Sequence, residues 1–303
     1  MIIGEAIVLE RTGGTYRVLN GEGEVVTAVL LGSLKFESGR ERVVVGDRVK
    51  LIDSDTSGAF GIAGVVDRRN VLTRRAPDRR AARAIAANID HVYVLAAVAR
   101  PDPVPQLIDR MVVIAEANEL PVSVVINKID LGDPEPLAAR MRRAGYDVHL
   151  VSARTGEGVD SLVEQLAGRE SLFAGPSGVG KSSLLNRIQP GLGLRTAEVS
   201  ERATRGRHTT TAAIMVPLDR GGFVVDTPGF SDAGLWGIGP RALSNSFPEI
   251  REAGECRFLD CRHMEEPDCV VRALVAEGRM DADRYESYRA LYEEMAAEKE
   301  PWE

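Results

Sequence analysis

Leu172-Phe173-Ala174-Gly175-Pro176-Ser177-Gly178-Val179-Gly180-Lys181-Ser182-Ser183 is the stretch on which the reading of this 303-residue chain turns. A short apolar run enters a loop containing three glycines, and the loop ends on a lysine and two serines that open an amphipathic segment, Lys181 to Ile188. That strand, loop and helix context gives the glycine pattern its physical meaning as a phosphate cradle. Glycines let backbone N–H groups close around phosphate oxygens, and the amino terminus of the following helix adds a favourable field. Lys181 is then expected on the β and γ phosphates, the Ser182 hydroxyl on magnesium, and Ser183 beside the α phosphate.

Further strand ends supply the rest of a nucleotide site. Phe223-Val-Val-Asp226 runs into Thr227-Pro228-Gly229, so Asp226 can hold magnesium directly or through water while Gly229 offers an N–H to the γ phosphate. Asn127-Lys128-Ile129-Asp130 follows the apolar run Val122 to Ile126. The Asp130 carboxylate can accept from both N1–H and the 2-amino group of guanine, donors that adenine lacks, which makes the nucleotide GTP. Lys128 can lie along the base, Asn127 can brace neighbouring loops, and Ser152-Ala153 fits a loop whose backbone reaches guanine O6. Between the phosphate loop and Asp226, Thr204-Arg-Gly-Arg-His208-Thr209-Thr210-Thr211 reads as a switch. Thr210, with Thr211 in reserve, would complete the magnesium shell. Phe230 follows Gly229 where many small GTPases carry a water-orienting glutamine, so His208 is the local candidate for that task.

Composition bounds the alternatives. A hydrophobic content of 44% suits a soluble globular protein of two or three domains, and no apolar run approaches the roughly 18 residues of a membrane span. A cytoplasmic location is expected. The net charge of −7 argues against wholesale attraction to nucleic acid. Seven arginines from Arg68 to Arg83 nevertheless face only Asp78 in sequence, so an RNA contact would be local. Residues 1–67 show short alternating apolar segments, including Tyr16 to Leu19, Val25 to Leu31 and Val43 to Val45, separated by glycine turns; they predict an OB-like β-barrel, with an SH3-like barrel leaving the same signature. Residues 68–84 read as a basic linker or exposed arm, 85–240 as a mostly parallel α/β sheet, and 241–303 as a mainly helical module ending in a helix from Asp283 to Glu298. All three cysteines fall in that module. Cys256-x4-Cys261-x-His263-x5-Cys269 can close a tetrahedral structural zinc site with no open position.

The guanine motif comes before the phosphate loop here, whereas ordinary GTPases place it after, so the chain looks like a circularly permuted GTPase. With the barrel, Arg205-Gly-Arg-His-Thr-Thr-Thr211, Asp226-Thr-Pro-Gly-Phe230 and the cysteine–histidine segment, it resembles the small-ribosomal-subunit-dependent GTPase A family (RsgA, also called YjeQ) over essentially its whole length. The resemblance implies a factor of late small-subunit maturation that contacts rRNA and hydrolyses GTP to GDP with stimulation by the subunit. A monomer that does not bind membranes is expected. Asp268 stands where a glycine is common in the family, and Arg262 where a threonine is frequent; neither removes a ligand. Two other readings are a GTP-dependent metallochaperone, which needs an exchangeable metal, and a zinc-containing RNA-binding module in which nucleotide only sets affinity.

Overall fold

The computed structural model describes residues 2–31, 43–53, 59–74, 83–192, 213–227 and 238–297. The first five strands, β1 (Ile2–Thr12), β2 (Thr15–Asn20), β3 (Val25–Leu30), β4 (Arg48–Ile52) and β5 (Phe60–Val65), hydrogen-bond in the order β1-β2-β3-β5-β4. The long β1 also pairs with β4, which closes a five-stranded barrel, as an OB fold requires. Alternation drives it: Tyr16 and Val18 are buried while Arg17 between them is exposed, and Val49 and Leu51 alternate with exposed Arg48 and Lys50. Val43 to Val45, expected as a strand, is not one; Val45 makes only an isolated bridge to Ala86. Gly46 (φ +86°) turns the chain there, and the Asp47 carboxylate accepts from Val44 N at 2.8 Å. The fourth strand lies just beyond that turn, where charged outward positions break up the apolar signal.

The basic stretch 68–84 is not simply a linker. β6 (Val71–Arg74) pairs antiparallel with β7 (Arg83–Ala87), and the tip between them, with Arg75, Arg79 and Arg80, lies outside the described residues. Arg68 is also not free for RNA. Its Nε donates to fully buried Asp47 at 2.7 Å, while Arg69 pairs with Asp90 and, at 2.8 Å, with Glu170. The barrel's buried carboxylate needs a cation, and the arm supplies it.

The central domain holds β8 (His91–Ala97), β9 (Val122–Asn127), β10 (Asp147–Leu150), β11 (Glu170–Ala174) and β13 (Phe223–Asp226), all parallel in the order β10-β9-β8-β11-β13. Helices α1 (Pro105–Ala117) and α2 (Glu135–Arg143) cover one face, burying Ile108, Met111, Val112 and Met141; α3 (Val159–Leu166) and α4 (Lys181–Ile188) cover the other with Leu162, Leu166, Leu184 and Leu185. One short antiparallel strand, β12 (Ile214–Pro217), is additional to the strands expected from the sequence. It pairs with β13 and meets β1 at Ile214 and Glu10, so the barrel and the α/β sheet form one hydrogen-bonded path.

The carboxy-terminal helices α5 (Pro240–Asn245), α6 (Pro248–Arg251), α7 (Val270–Ala276) and α8 (Ala282–Ala297) share a core with α1 through Phe247, Leu274, Tyr288 and Leu291. Arg284, fully buried on α8, donates to Asp109 of α1 at 2.8 Å and to Glu249 at 2.5 Å, and its guanidinium lies 4.9 Å from the Phe247 ring centre. Arg140 of α2 reaches the same Asp109 carboxylate at 2.7 Å. Among the described residues no helix is long and apolar enough to cross a membrane.

Candidate functional site

The four segments expected to build the nucleotide site follow the carboxyl ends of β9, β10, β11 and β13, where open α/β sheets bind ligands. The loop Gly175–Gly180 needs its glycines for space as well as dihedral freedom. A Cβ on Gly175 would sit 2.6 Å from the Leu95 carbonyl oxygen, and one on Gly180 (φ +98°) 2.4 Å from Asn127 Nδ2.

Asn127 ties the loops together. Its Nδ2 donates to Val179 O at 2.9 Å, while its Oδ1 accepts from Ala153 N at 3.0 Å and Lys128 N at 2.8 Å. One buried amide therefore fixes the phosphate loop, the guanine loop and the Ser152–Ala153 loop with respect to one another. Lys128, in the left-handed region at φ +61°, sends Nζ to Gly178 O at 2.7 Å and to the Arg100 carbonyl. Burial lowers the pKa of its ammonium, against the pull of Asp130. Asp130 accepts from Ser152 Oγ at 2.5 Å and from Arg154 Nε at 2.8 Å. The Ser152 bond, then Arg154, hold its carboxyl below the ordinary carboxylate range, leaving an anionic double acceptor at the mouth of the site. Arg154 is a site residue that the motifs do not name; its position directly after Ser152-Ala153 is the available signal.

Lys181 donates to Gly175 O at 2.6 Å and Pro176 O at 3.1 Å, standing where phosphate oxygens can replace those carbonyls. Burial lowers its pKa and raises that of Asp226, each partly offset by the other. Two ionisable groups pushed toward neutrality in one cleft favour an anion beside the lysine and a cation beside the aspartate. Among the described residues, Asp226 Oδ1 and Thr227 Oγ1 are buried without a hydrogen-bond partner, so this end of the cleft fits a hydrated cation. Ser182 and Ser183 lie in the first turn of α4, partly exposed, on the loop's side. His208, Thr210, Thr211, Gly229 and Phe230 fall outside the described residues.

A second cluster lies in the carboxy-terminal module. One donor atom from each of Cys256, Cys261, His263 and Cys269 lies within 4.8 Å of all the others. Cys256 Sγ and Cys269 Sγ are each 3.5 Å from His263 Nδ1 and 3.9 Å from one another. Tetrahedral bonds of roughly 2.3 Å to sulfur and 2.0 Å to nitrogen require edges of about 3.5 Å between sulfur and nitrogen and about 3.8 Å between sulfurs, so the set fits a single four-coordinate ion. Burial pushes the Cys261 thiol up to about 12, and a divalent ion bound by this set would favour its thiolate form. Tyr285 Oη donates to His263 O at 2.6 Å and Tyr288 Oη to Arg262 O at 2.7 Å, fastening the ligand loop to α8.

The comparisons with known proteins agree with this geometry. Residues 65–236 match the family model described as RsgA GTPase. A relative named "Small ribosomal subunit biogenesis GTPase RsgA" from Gemmatimonas aurantiaca is 46% identical over 95% of this chain and 96% of its own length, and a protein of the same name from Thermotoga petrophila is 42% identical over 90% of each. The crystal structure of YjeQ from Thermotoga maritima superposes with a TM-score of 0.77 at 36% identity, covering 97% of this chain and 98% of that one. That of YloQ, described as a circularly permuted GTPase, gives 0.73 at 28% identity, covering 99% and 97%.

Proposed function

The chain belongs to the RsgA GTPase family, and from that premise we propose how its own residues carry out the hydrolysis of GTP in small-ribosomal-subunit biogenesis. The observation that carries the reading is the Asn127 amide, which joins the guanine loop to a phosphate loop lying after it in the chain. Asp130 selects guanine, with Ser152 keeping it anionic and oriented. Gly175 to Gly180 cradle the phosphates, Lys181 balances their charge, and Ser183 supports the α phosphate. Ser182, Asp226 and, when the γ phosphate is present, Thr210 would hold magnesium, which when bound would offset charge developing on the transferred phosphoryl group. Gly229 senses the γ phosphate and His208 orients water in place of the side chain that Phe230 cannot supply. Such a site turns over slowly until the switch is ordered by the subunit.

We assign the Cys256, Cys261, His263 and Cys269 cluster to zinc in a structural role. Four protein ligands close the sphere, so no position is left for exchange, and that disfavours a metallochaperone. The rRNA contact is assigned to the arm tip between β6 and β7 together with the barrel, and the protein acts on the subunit in the cytoplasm as a monomer. Two measurements test the nucleotide and subunit roles. GTPase activity should rise on adding isolated small subunits; no rise rejects the subunit role. Asp130→Asn should lower GTP affinity and relatively favour xanthosine triphosphate, whose 2-oxo group accepts from the amide. An unchanged preference in equilibrium titration rejects the guanine assignment. Zinc should copurify at one equivalent per chain and resist a weak chelator.

A further inference from the structure

Guanine recognition makes a demand that an aspartate does not meet by itself. N1–H and the 2-amino group point the same way from one edge of a flat base, so the carboxylate has to offer two acceptors in the plane of the ring. The last torsion of an aspartate side chain is broad, and nothing in the residue sets that plane. Here neighbours set it. Ser152 Oγ donates to Asp130 Oδ1 at 2.5 Å, and Arg154 Nε donates to Asp130 Oδ2 at 2.8 Å. A carboxylate tied at one oxygen still turns, whereas one tied at both does not. Of its roughly four acceptor sites, Ser152 takes one on the first oxygen and Arg154 one on the second. One site on each oxygen is left, matching the two donors of guanine.

The loop that carries both donors is braced in turn. Ser152 N donates to Glu157 O at 2.9 Å, Gly156 N to Ser152 O at 2.8 Å and Thr155 N to Ser152 Oγ at 3.1 Å. From α4, Arg187 donates to Thr155 O at 3.4 Å and covers Gly156, where a Cβ would collide with its guanidinium. The Lys128 ammonium is engaged elsewhere, by the carbonyls of Gly178 and Arg100. Among the described residues Arg154 is the cation at ion-pair distance from the Asp130 carboxylate. Asp130 keeps 9% of its side-chain surface in water and Arg154 74%, so the guanidinium approaches a nearly closed carboxylate from solvent and can be removed without opening the core.

We propose that Arg154 is a specificity-determining positioning residue: by holding Asp130 Oδ2 it fixes the plane of the carboxylate for the two donors of guanine. The inference rests on the guanine reading of Asp130 above and adds the residue that makes the double acceptor rigid. The full chain is titrated at equilibrium with GTP and with inosine triphosphate, which keeps N1–H and lacks the 2-amino group. A carboxylate free to turn still meets one donor but meets two coplanar donors less often. Arg154→Ala should therefore weaken GTP binding by about threefold to fivefold and inosine triphosphate binding by less than about twofold, in the range of a lost surface ion pair. In turnover with small subunits, KM for GTP should rise while kcat at saturation keeps its wild-type value, since the bond is made in ground and transition states alike. Equal losses for the two nucleotides, no loss of either, or a lower kcat at saturating GTP overturn the inference while leaving the guanine reading intact. Tighter GTP binding by Arg154→Ala also overturns it, because the guanidinium would then compete with the base for Asp130. If the wild-type chain itself does not favour GTP over ATP, the guanine reading falls and takes the role of Arg154 with it.

Discussion

The central domain has two joints, and their ion pairs are set in different surroundings. Toward the barrel, one β bridge between Glu10 and Ile214 and an apolar contact through Leu9, Val45 and Leu72 are joined by ion pairs in which Arg48 and Arg69 keep about half of their side-chain surface in water. Toward the carboxy-terminal module, Arg284 and Asp109 are both wholly buried, roofed by Phe247 and Tyr146. Charges half in water can exchange partners for little cost, whereas charges taken out of water must keep theirs. These exposed ion pairs of the first joint are therefore easier to break than the buried ones of the second. The second fastens the metal module to α1.

The sharpest way to break this contrast is at Asp109. It accepts from Arg140 at 2.7 Å, from Arg284 at 2.8 Å and from Ser287 at 2.7 Å, so Asp109→Ala leaves two buried guanidiniums with only Asp281 and Glu249 as their carboxylate partners. A loss of about 3–5 kcal/mol is expected in urea unfolding. A loss below about 1 kcal/mol would mean that water reaches the interface and the two joints are alike. At the barrel joint Arg69→Ala should cost less than about 1 kcal/mol, and the cost should shrink further in high salt because the guanidinium is 52% exposed. A large, salt-insensitive cost there would mean that the two joints are alike.

Why one set of contacts is legible in the sequence and the other is not follows from distance along the chain. The nucleotide residues announce themselves locally, each as a short polar motif on the end of an apolar strand, and the cysteine–histidine spacing is local too. The joints are made of pairs far apart in sequence: Arg284 lies 175 residues from Asp109, and Arg69 lies 101 from Glu170. Nothing near Arg68 or Arg69 in sequence reveals that their partners are carboxylates of this same chain, so they read as free cations for RNA. Strand β12 is hidden for a related reason, since four residues ending in Pro217 show no period and gain their meaning only from β13 and β1. The strand Arg48–Ile52 does alternate, but Val43 to Val45 just before it is the stronger apolar run and draws the strand assignment to itself.

The last expected effect is a pH dependence on the barrel side. His91 opens β8, adjacent to the Asp90 that Arg69 holds, and shares a 2.8 Å hydrogen bond with Ser123 Oγ. Burial pushes its imidazole down to about 4; Arg169 and His149 push the same way, and Asp147 opposes them. In the unfolded chain the same group titrates near about 6.5. Between those values the unfolded chain binds a proton that the folded one refuses, so stability falls as the pH drops through that window and is fully retained above it. His91→Gln, which can still meet Ser123, should reduce the stability lost between about pH 7 and about pH 5 relative to wild type, with His149 present in both. Hydrogen exchange corrected for intrinsic rates should place the wild-type loss at the amino ends of β8 and β11 and leave α8 near Arg284 unchanged. An identical pH response in wild type and His91→Gln would show that His91 does not set it, and loosening at α8 first would reverse the order of the two joints.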